Sequence, residues 1–501
     1  MRPILTADQI RRAEEAFWSH HPGVDLMGRA ATAVAKVARR MLARHGGVVS
    51  GERPWVVVAA GQGNNAGDAL FAAAELDAEV LVWAVADKTH PGGLKAALQA
   101  GARLVSRAEA LDALDGAALV IDGVAGIGSR RGLTDTVEKF ADATRAAGVP
   151  VLSVDVPSGL AADRVTAGGA PSFRADRTVT FIAHKVCQLA APAADRCGMV
   201  DLIDIGVDPG MGMETADGEP SAIWQVESSD LAQWYPFPDS SSHKYSRGVV
   251  GLDTGSTDYP GAAFLGAAGA LFTGCGMVRH AADREVVDRV INRYPSIVPG
   301  EGRVQAWVCG SGWPEADTKR LVKRLADGVP MVLDAGALLD LPSKLPSGSL
   351  LTPHAGELAT LLGVDRERVE ADPIGHARQA AARWRTTVLL KGASQYIAQS
   401  DGTVWLAVRG PAWTGQAGSG DVLAGACGAL LASGMDAARA AAVAASLQAL
   451  TASAHPGPWP PDRLVEHFPD VIASWTSTPD RPAAHEVHEE AELHDHDAPH
   501  G

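Results

Sequence analysis

Short apolar runs recur at residues 55–60, 80–86, 118–122, 149–155 and 178–183, with helix-length segments between the earlier ones. Strand and helix in alternation mean a mostly parallel sheet with helices on both faces. Ligands of such sheets sit at the carboxyl ends of the strands. The polar residues ending these runs are Asn64, Asn65, Asp68, Asp122, Asp155 and Ser158, with Lys185 just past the last, and one cleft is implied. Asn65, Asp122 and Ser158 offer hard oxygens of the kind a bare alkali cation takes. A carboxylate and Lys185 could share proton transfers. Each residue also has a plainer reading, as helix cap, turn former, phosphate contact or surface charge.

A second α/β run opens at His243, with strands expected at 249–253, 304–309, 331–334 and 387–391 and a hairpin at 395–399 and 404–408. Residues 261–278 carry no charge and read as one core helix, glycine and alanine arguing against a membrane span. The stretch GQAGSGDVLAGACGALLASG at 415–434 carries the chemistry. Gly418, Ser419 and Gly420 can turn sharply. Asp421 follows, and then thirteen uncharged residues. A tight loop feeding a buried helix leaves unpaired N–H groups that seat an anion. Small Gly425 and Gly428 let another backbone approach that helix. A carboxylate beside a phosphate seat repels it, so the sensible role for Asp421 is to orient or deprotonate a hydroxyl attacking phosphorus. The alternative is a simple helix N-cap.

A chain of 501 residues implies roughly two to four domains. Residues 209–242 lack periodicity and are dense in Pro, Gly and Ser, which divides the chain into 1–208, a linker at 209–242, a second domain at 243–477 and a disordered tail at 478–501. In that acidic tail His485, His488, His494 and His496 could hold a divalent metal loosely. A net charge of −15 argues against a nucleic-acid or anionic-membrane partner. Five scattered cysteines and a polar start point to a reducing cytoplasm. A homo-oligomer acting on small molecules is expected.

Four motifs in order, GQGNNAGDA at 61–69, VIDGVAGIGSRRG at 120–132, VDVPSGL at 154–160 and ADRTVTFIAHK at 175–185, make residues 1–208 resemble the Rossmann-like epimerase domain that acts on hydrated NADH and NADPH. By that resemblance Asn65, Asp122 and Ser158 would hold K⁺. The hydrate would lie on Asn64, Asn65, Ala66, Gly67 and Asp68, and on Gly126, Ile127, Gly128, Ser129, Arg130, Arg131 and Gly132. Asp155 and Lys185 would be catalytic. The sequence departs from the family in having Ala66 and Ala69 where Gly is usual, and Gly28 where Glu is usual.

Residues 243–477 resemble the ribokinase-like dehydratase that repairs the same hydrates, through HKYSRG at 243–248, YPGAAFLGA at 259–267, LTPHAGELATLLG at 351–363, LLKGASQ at 389–395 and AGSGDVLAG at 417–425. The resemblance implies two three-layer αβα domains and a two-headed repair enzyme. The first half would interconvert the R and S hydrates. The second would dehydrate the S form with ADP and Mg²⁺, giving AMP and phosphate. Asp421 would be its acid–base residue, with Ala262, Gly312 and His354 on the substrate. Lys391, Gly392, Ala393, Ser394, Gln395, Gly418, Ser419 and Gly420 would hold the nucleotide. Taken alone, His354 reads as a surface or cap residue. Here the family's usual Asp-Ala-Asp-Ala-Leu is DAGAL at 334–338, and its Gly-Pro-Gly-Leu-Gly is GSGWP at 310–314, which would put Trp313 and Pro314 by the cleft. The alternative is a kinase of a small alcohol such as a hydroxymethylpyrimidine, with a non-catalytic N-terminal half.

Overall fold

Two sheets organise the chain, and in each the strand order reverses once. The computed structural model describes residues 1–45, 53–86, 88–128, 132–166, 168–213 and 222–476. The first sheet is parallel throughout, in the order Arg103–Val105, Glu79–Ala84, Trp55–Ala60, Ala117–Gly123, Val151–Val154, Arg177–Phe181, Met199–Ile203. The chain winds outward from Trp55–Ala60, then returns to lay Ala117–Gly123 on its other side. That reversal opens a crevice above the carboxyl ends of these two strands. Arg103–Val105 and Met199–Ile203 were not expected, because short edge strands with half-exposed side chains lack a clean apolar run.

The second sheet repeats the plan. Val249–Asp253 lies between Met277–His280 and Ala306–Cys309, so its reversal falls between Val249–Asp253 and Ala306–Cys309. Met331–Leu333, Leu350–Leu351 and Thr387–Leu390 continue it in parallel, and the expected hairpin follows as antiparallel Tyr396–Ala398 and Val404–Leu406. The helix Ser419–Ala432 is buried nearly all round, as its lack of charge dictates. It touches the helix Pro260–Phe272 backbone to backbone. A Cβ on Gly425 would lie 2.0 Å from the Gly266 carbonyl oxygen, and one on Gly269 would lie 2.1 Å from that of Val422. Gly428 instead faces the sheet, where a Cβ would meet Val308 Cγ2 at 2.1 Å. The uncharged stretch 261–278 is therefore not one helix. It ends at Phe272, turns through Gly274 at φ 91°, and re-enters the sheet as Met277–His280. Among the described residues, no helix is long and apolar enough to cross a membrane.

Two segments outside 243–477 join the second sheet. Arg2–Ile4 leaves the first half and pairs antiparallel with Ile223–Gln225, which pairs in turn with Val404–Leu406. Residues 222–234 thus belong to the second sheet through a strand and the helix Ser228–Trp234, while 214–221 lie outside the described residues. Charge fixes this edge: the Met1 amine sits 2.6 Å from Asp230 Oδ1 and Arg2 Nε 2.7 Å from Glu227 Oε1. Leu5 N–H then donates to the His184 carbonyl, and the capping box of Thr6 and Gln9 starts the helix Ala7–His20 over the first crevice.

Candidate active sites

The first crevice is a cleft of about 720 Å³. It is lined by residues 61–65 after one strand and 124–128 after its neighbour, together with Asp68, Asp155 and Lys185. Asp155 is held at φ 63°, a left-handed conformation that Asp tolerates better than most residues. Its Oδ1 accepts from Lys185 Nζ at 2.7 Å and Thr180 Oγ1 at 3.2 Å, and its Oδ2 from Ile127 N–H at 3.0 Å. Lys185 Nζ also donates to Thr180 Oγ1 and the Phe181 carbonyl, so all three ammonium protons are engaged. Gly126 lets the loop pass close to both side chains, since a Cβ there would lie 2.9 Å from Asn65 Oδ1 and from Asp155 Oδ2, and one of them would have to shift. Burial, and then the charges of Asp155, Glu14 and Asp25, push Asp68 up to about 8.

Glu14 is a cleft residue that the sequence reading missed. It falls one turn beyond buried Ile10 on the helix Ala7–His20, and both line the cleft. Among the mixed charges of RRAEEAF it resembled a solvated face. Ala66 is moved the other way. It is wholly buried in the core beside Ala69 and Leu70, so its methyl does not crowd a ligand. The Ala69 methyl is matched by Gly123, where a Cβ would come within 2.5 Å of it. Gly28 opens the helix Leu26–His45, donating its N–H to Asp25 Oδ1 at 2.8 Å, and a side chain there would strike Asp25. Gly67 is buried against Met27, and Gly132 is tied by its N–H to the Gly159 carbonyl at 2.9 Å. Ser129, Arg130 and Arg131, like the histidines of the tail, lie outside the described residues.

Asp122 and Ser158 sit beneath the cleft rather than on its wall. Asp122 accepts from Ser158 Oγ at 2.5 Å, Ser158 N–H at 2.8 Å, Ser153 Oγ at 2.8 Å and Val124 N–H at 3.3 Å. Burial nevertheless pushes its pKa up, and no cationic side chain pairs with it among the described residues. Asn65 Nδ2 is likewise buried with no partner among them.

In the second crevice, residues 310–314 face residues 254–259. Gly312, at φ 73°, has no room for a side chain, because a Cβ would lie 2.6 Å from that of buried Ala262. Asp421 is the third residue of its helix, and Gly418, at φ 91°, is the cap. The N-cap alternative for Asp421 is thus excluded. Its carboxylate makes no hydrogen bond or ion pair among the described residues, and burial followed by the Asp334 charge pushes it up to about 6, against the pull of Lys391. The amide cradle is narrower than expected: Ser419 N–H already donates to the Gln416 carbonyl at 3.2 Å. The N–H groups of Gly420 and Asp421 have no acceptor among the described residues.

Lys391 Nζ lies 2.6 Å from Asp334 Oδ1 and against the first helical turn, 3.3 Å from where a Gly420 Cβ would stand. Burial opposes the lysine's charge, but Asp334, Glu357 and Asp421 outweigh it and hold its pKa above the ordinary value. Asp334, ending the strand Met331–Leu333, is fixed by Ser311 Oγ at 2.8 Å and Thr352 Oγ1 at 2.9 Å. His354 does cap the helix Ala355–Leu362, its Nδ1 accepting from Gly356 and Glu357 N–H, which leaves the exposed Nε2 to carry the ring proton. Gly392, Ala393 and Gln395 line a small groove with Arg409, Thr414 and Gln448. Ser394 does not: its Oγ accepts from Ala191 N–H at 2.9 Å, where the two halves meet.

The two departures in this half are one packing event. Trp313 is buried away from the cleft, its Nε1 donating to the Asp253 carbonyl at 3.0 Å and its ring under the Arg320 guanidinium. A Cβ on Gly336 would lie 2.6 Å from that of Trp313, so a carboxylate at 336 has no room. Gly336→Asp is expected to lower stability by about 1–3 kcal/mol, read as a drop in the thermal midpoint. Adding Trp313→Gly should remove that particular clash.

Comparison with known proteins extends over both halves. The profile of the YjeF-related protein N-terminus matches residues 23–187, and that of NAD(P)H-hydrate dehydratase matches 250–457. The chain is 39% identical to the bifunctional NAD(P)H-hydrate repair enzyme Nnr of Mycobacterium tuberculosis, over 88% of this chain and 92% of that one. Against the Mycobacterium leprae protein of the same name identity is 37%, over 95% and 100%. Among solved structures, an ADP/ATP-dependent NAD(P)H-hydrate dehydratase from Bacillus subtilis matches at 26% identity and a TM-score of 0.47, covering 50% of this chain and 97% of that one.

Proposed function

We infer the chemistry of each cleft from one premise: this chain belongs to the family of bifunctional NAD(P)H-hydrate repair enzymes. Its activity is nicotinamide nucleotide repair, epimerising the R and S hydrates of NADH and NADPH and dehydrating the S form. The first reaction belongs to the cleft of Asp155 and Lys185, the second to that of Asp421.

In the second cleft the C6 hydroxyl of the hydrate is a poor leaving group, and phosphorylation makes it a good one. Asp421 takes the hydroxyl's proton as that oxygen attacks the terminal phosphorus of ADP. The N–H groups of Gly420 and Asp421 and the Lys391 ammonium stabilise the transferring group, and AMP leaves. Phosphate then departs from C6 as the ring nitrogen pushes its electrons in, restoring the dihydronicotinamide. Loose phosphoryl transfer demands positioning and charge stabilisation more than a strong base. The groove of Gly392, Ala393 and Gln395 would take the nucleotide. Asp334, Glu357 and Asp421 outnumber Lys391, an excess of negative charge that fits Mg²⁺, which these carboxylates would hold and which would supply positive charge for the transferring phosphoryl group. In the first half a buried carboxylate with no cationic partner among the described residues fits a monovalent ion, and Asn65, Asp122 and Ser158 would hold K⁺ there through their oxygens.

The observation that carries this reading is a half-buried acid, Asp421, that has no partner among the described residues and stands beside a lysine and two helix-start amides without acceptors among them. The deciding experiment incubates hydrated NADH with ADP or ATP and follows near-ultraviolet absorbance and nucleotide products. Recovered coenzyme with inorganic phosphate supports the reading; a stable phosphorylated alcohol would end it. Because Asp421 must be ionised to act, kcat/KM for the S hydrate should fall by about tenfold per unit below pH 6.

A further inference from the structure

Among the described residues, the first cleft sets three carboxyl groups, Glu14, Asp68 and Asp155, around one lysine. Asp155 arrives from the end of one strand, Asp68 from the helix Asn64–Ala74 and Glu14 from the helix Ala7–His20. Asp155 is bonded to Lys185, Thr180 and Ile127. The one other cation on the wall among the described residues, Arg11, is tied to Asp8 at 2.6 Å. Glu14 has no hydrogen-bond or ion-pair partner among the described residues. The charged groups it faces are Asp155 and Lys185 across the cleft, Arg11 and Glu15 on its own helix, and Asp68, whose carboxyl also feels Asp25.

We propose that Glu14 is a catalytic acid of this cleft: together with Asp68 it holds the proton delivered to the C6 hydroxyl, while the Asp155 carboxylate takes one from the water that adds. This rests on the epimerase reading of the cleft. In the step, the acid protonates the C6 oxygen, the C6–O bond breaks, water leaves and the N1 lone pair closes an N1=C6 bond. A second water then adds to the opposite face of C6. The N1=C6 pair returns to nitrogen, and the extra proton goes to Asp155 and exchanges back through the cleft to the acid pair. No oxidant or cofactor is consumed. Burial raises both acids, Asp68 to about 8, so the cleft keeps a carboxylic acid at neutral pH facing the Asp155 side chain that Lys185 binds.

The test uses the full chain, with S-hydrate dehydration as an internal control for folding. Glu14→Gln should cut kcat for R-to-S conversion by about 10²-fold with little change in KM. It should also move the alkaline limb of the pH profile downward from about 8, because one of the charges that raises Asp68 is gone. Glu14→Asp should regain most of the rate. Wild-type rate and limb in Glu14→Gln would overturn the proposal, as would parallel loss of dehydration in both variants, which would make Glu14 a support of the fold. A wild-type chain that cannot interconvert the hydrates overturns the epimerase reading itself, and this proposal with it.

Discussion

Replacing Asp421 by Asn is expected to lower dehydration of the S hydrate by about 10²–10⁴-fold, while nucleotide still binds and R-to-S conversion is untouched. The carboxamide keeps the shape but cannot take the hydroxyl proton. The same change should raise the thermal midpoint at neutral pH. Folding lifts the Asp421 pKa from 3.8 to about 6, so the folded state disfavours the ionised form and a neutral side chain relieves that penalty. Activity down with stability up is the mark of a group kept for chemistry. Turnover of purified hydrate by absorbance, beside a melting curve, reads both; unchanged turnover would remove Asp421 from the reaction.

The second large effect is at Asp155. Asp155→Ala should abolish R-to-S conversion, followed by chiral separation of the hydrates, and leave repair of the S form intact. It should also destabilise the first half by about 3–5 kcal/mol, because Lys185 stays buried with its charge uncompensated. Alanine is moreover a poor fit to the left-handed backbone at this position. Adding Lys185→Met should recover much of the stability and none of the activity. Loss of both reactions in the single variant would mean that the halves do not work separately.

Much of this was legible in the chain. Strands buried on both faces announce themselves as apolar runs, so Trp55–Ala60 and Val249–Asp253 were read at the ends they have. The Gly loop before an uncharged helix likewise put Asp421 in a first helical turn, where it stands. What escaped depended on contacts distant in sequence. Glu14 looks like any surface glutamate until its helix is laid across the strand ends. Trp313 and Gly336 read as two separate irregularities in the cleft until one is seen to fill the space the other vacates. Ala66 and Asn65 are neighbours in one motif, yet a helix turns the first into the core and the second toward the cleft wall.

The strand Arg2–Ile4 has a practical corollary for anyone dissecting the molecule. Severing the chain near residue 208 strips the C-terminal piece of its outermost ribbon, leaving the backbone of Ile223–Gln225 bare and adhesive toward other copies. A peptide fused ahead of Met1 would meanwhile displace the free amine from Asp230. Fragments meant to report one activity at a time are better obtained by silencing a single cleft in the intact polypeptide than by cutting it.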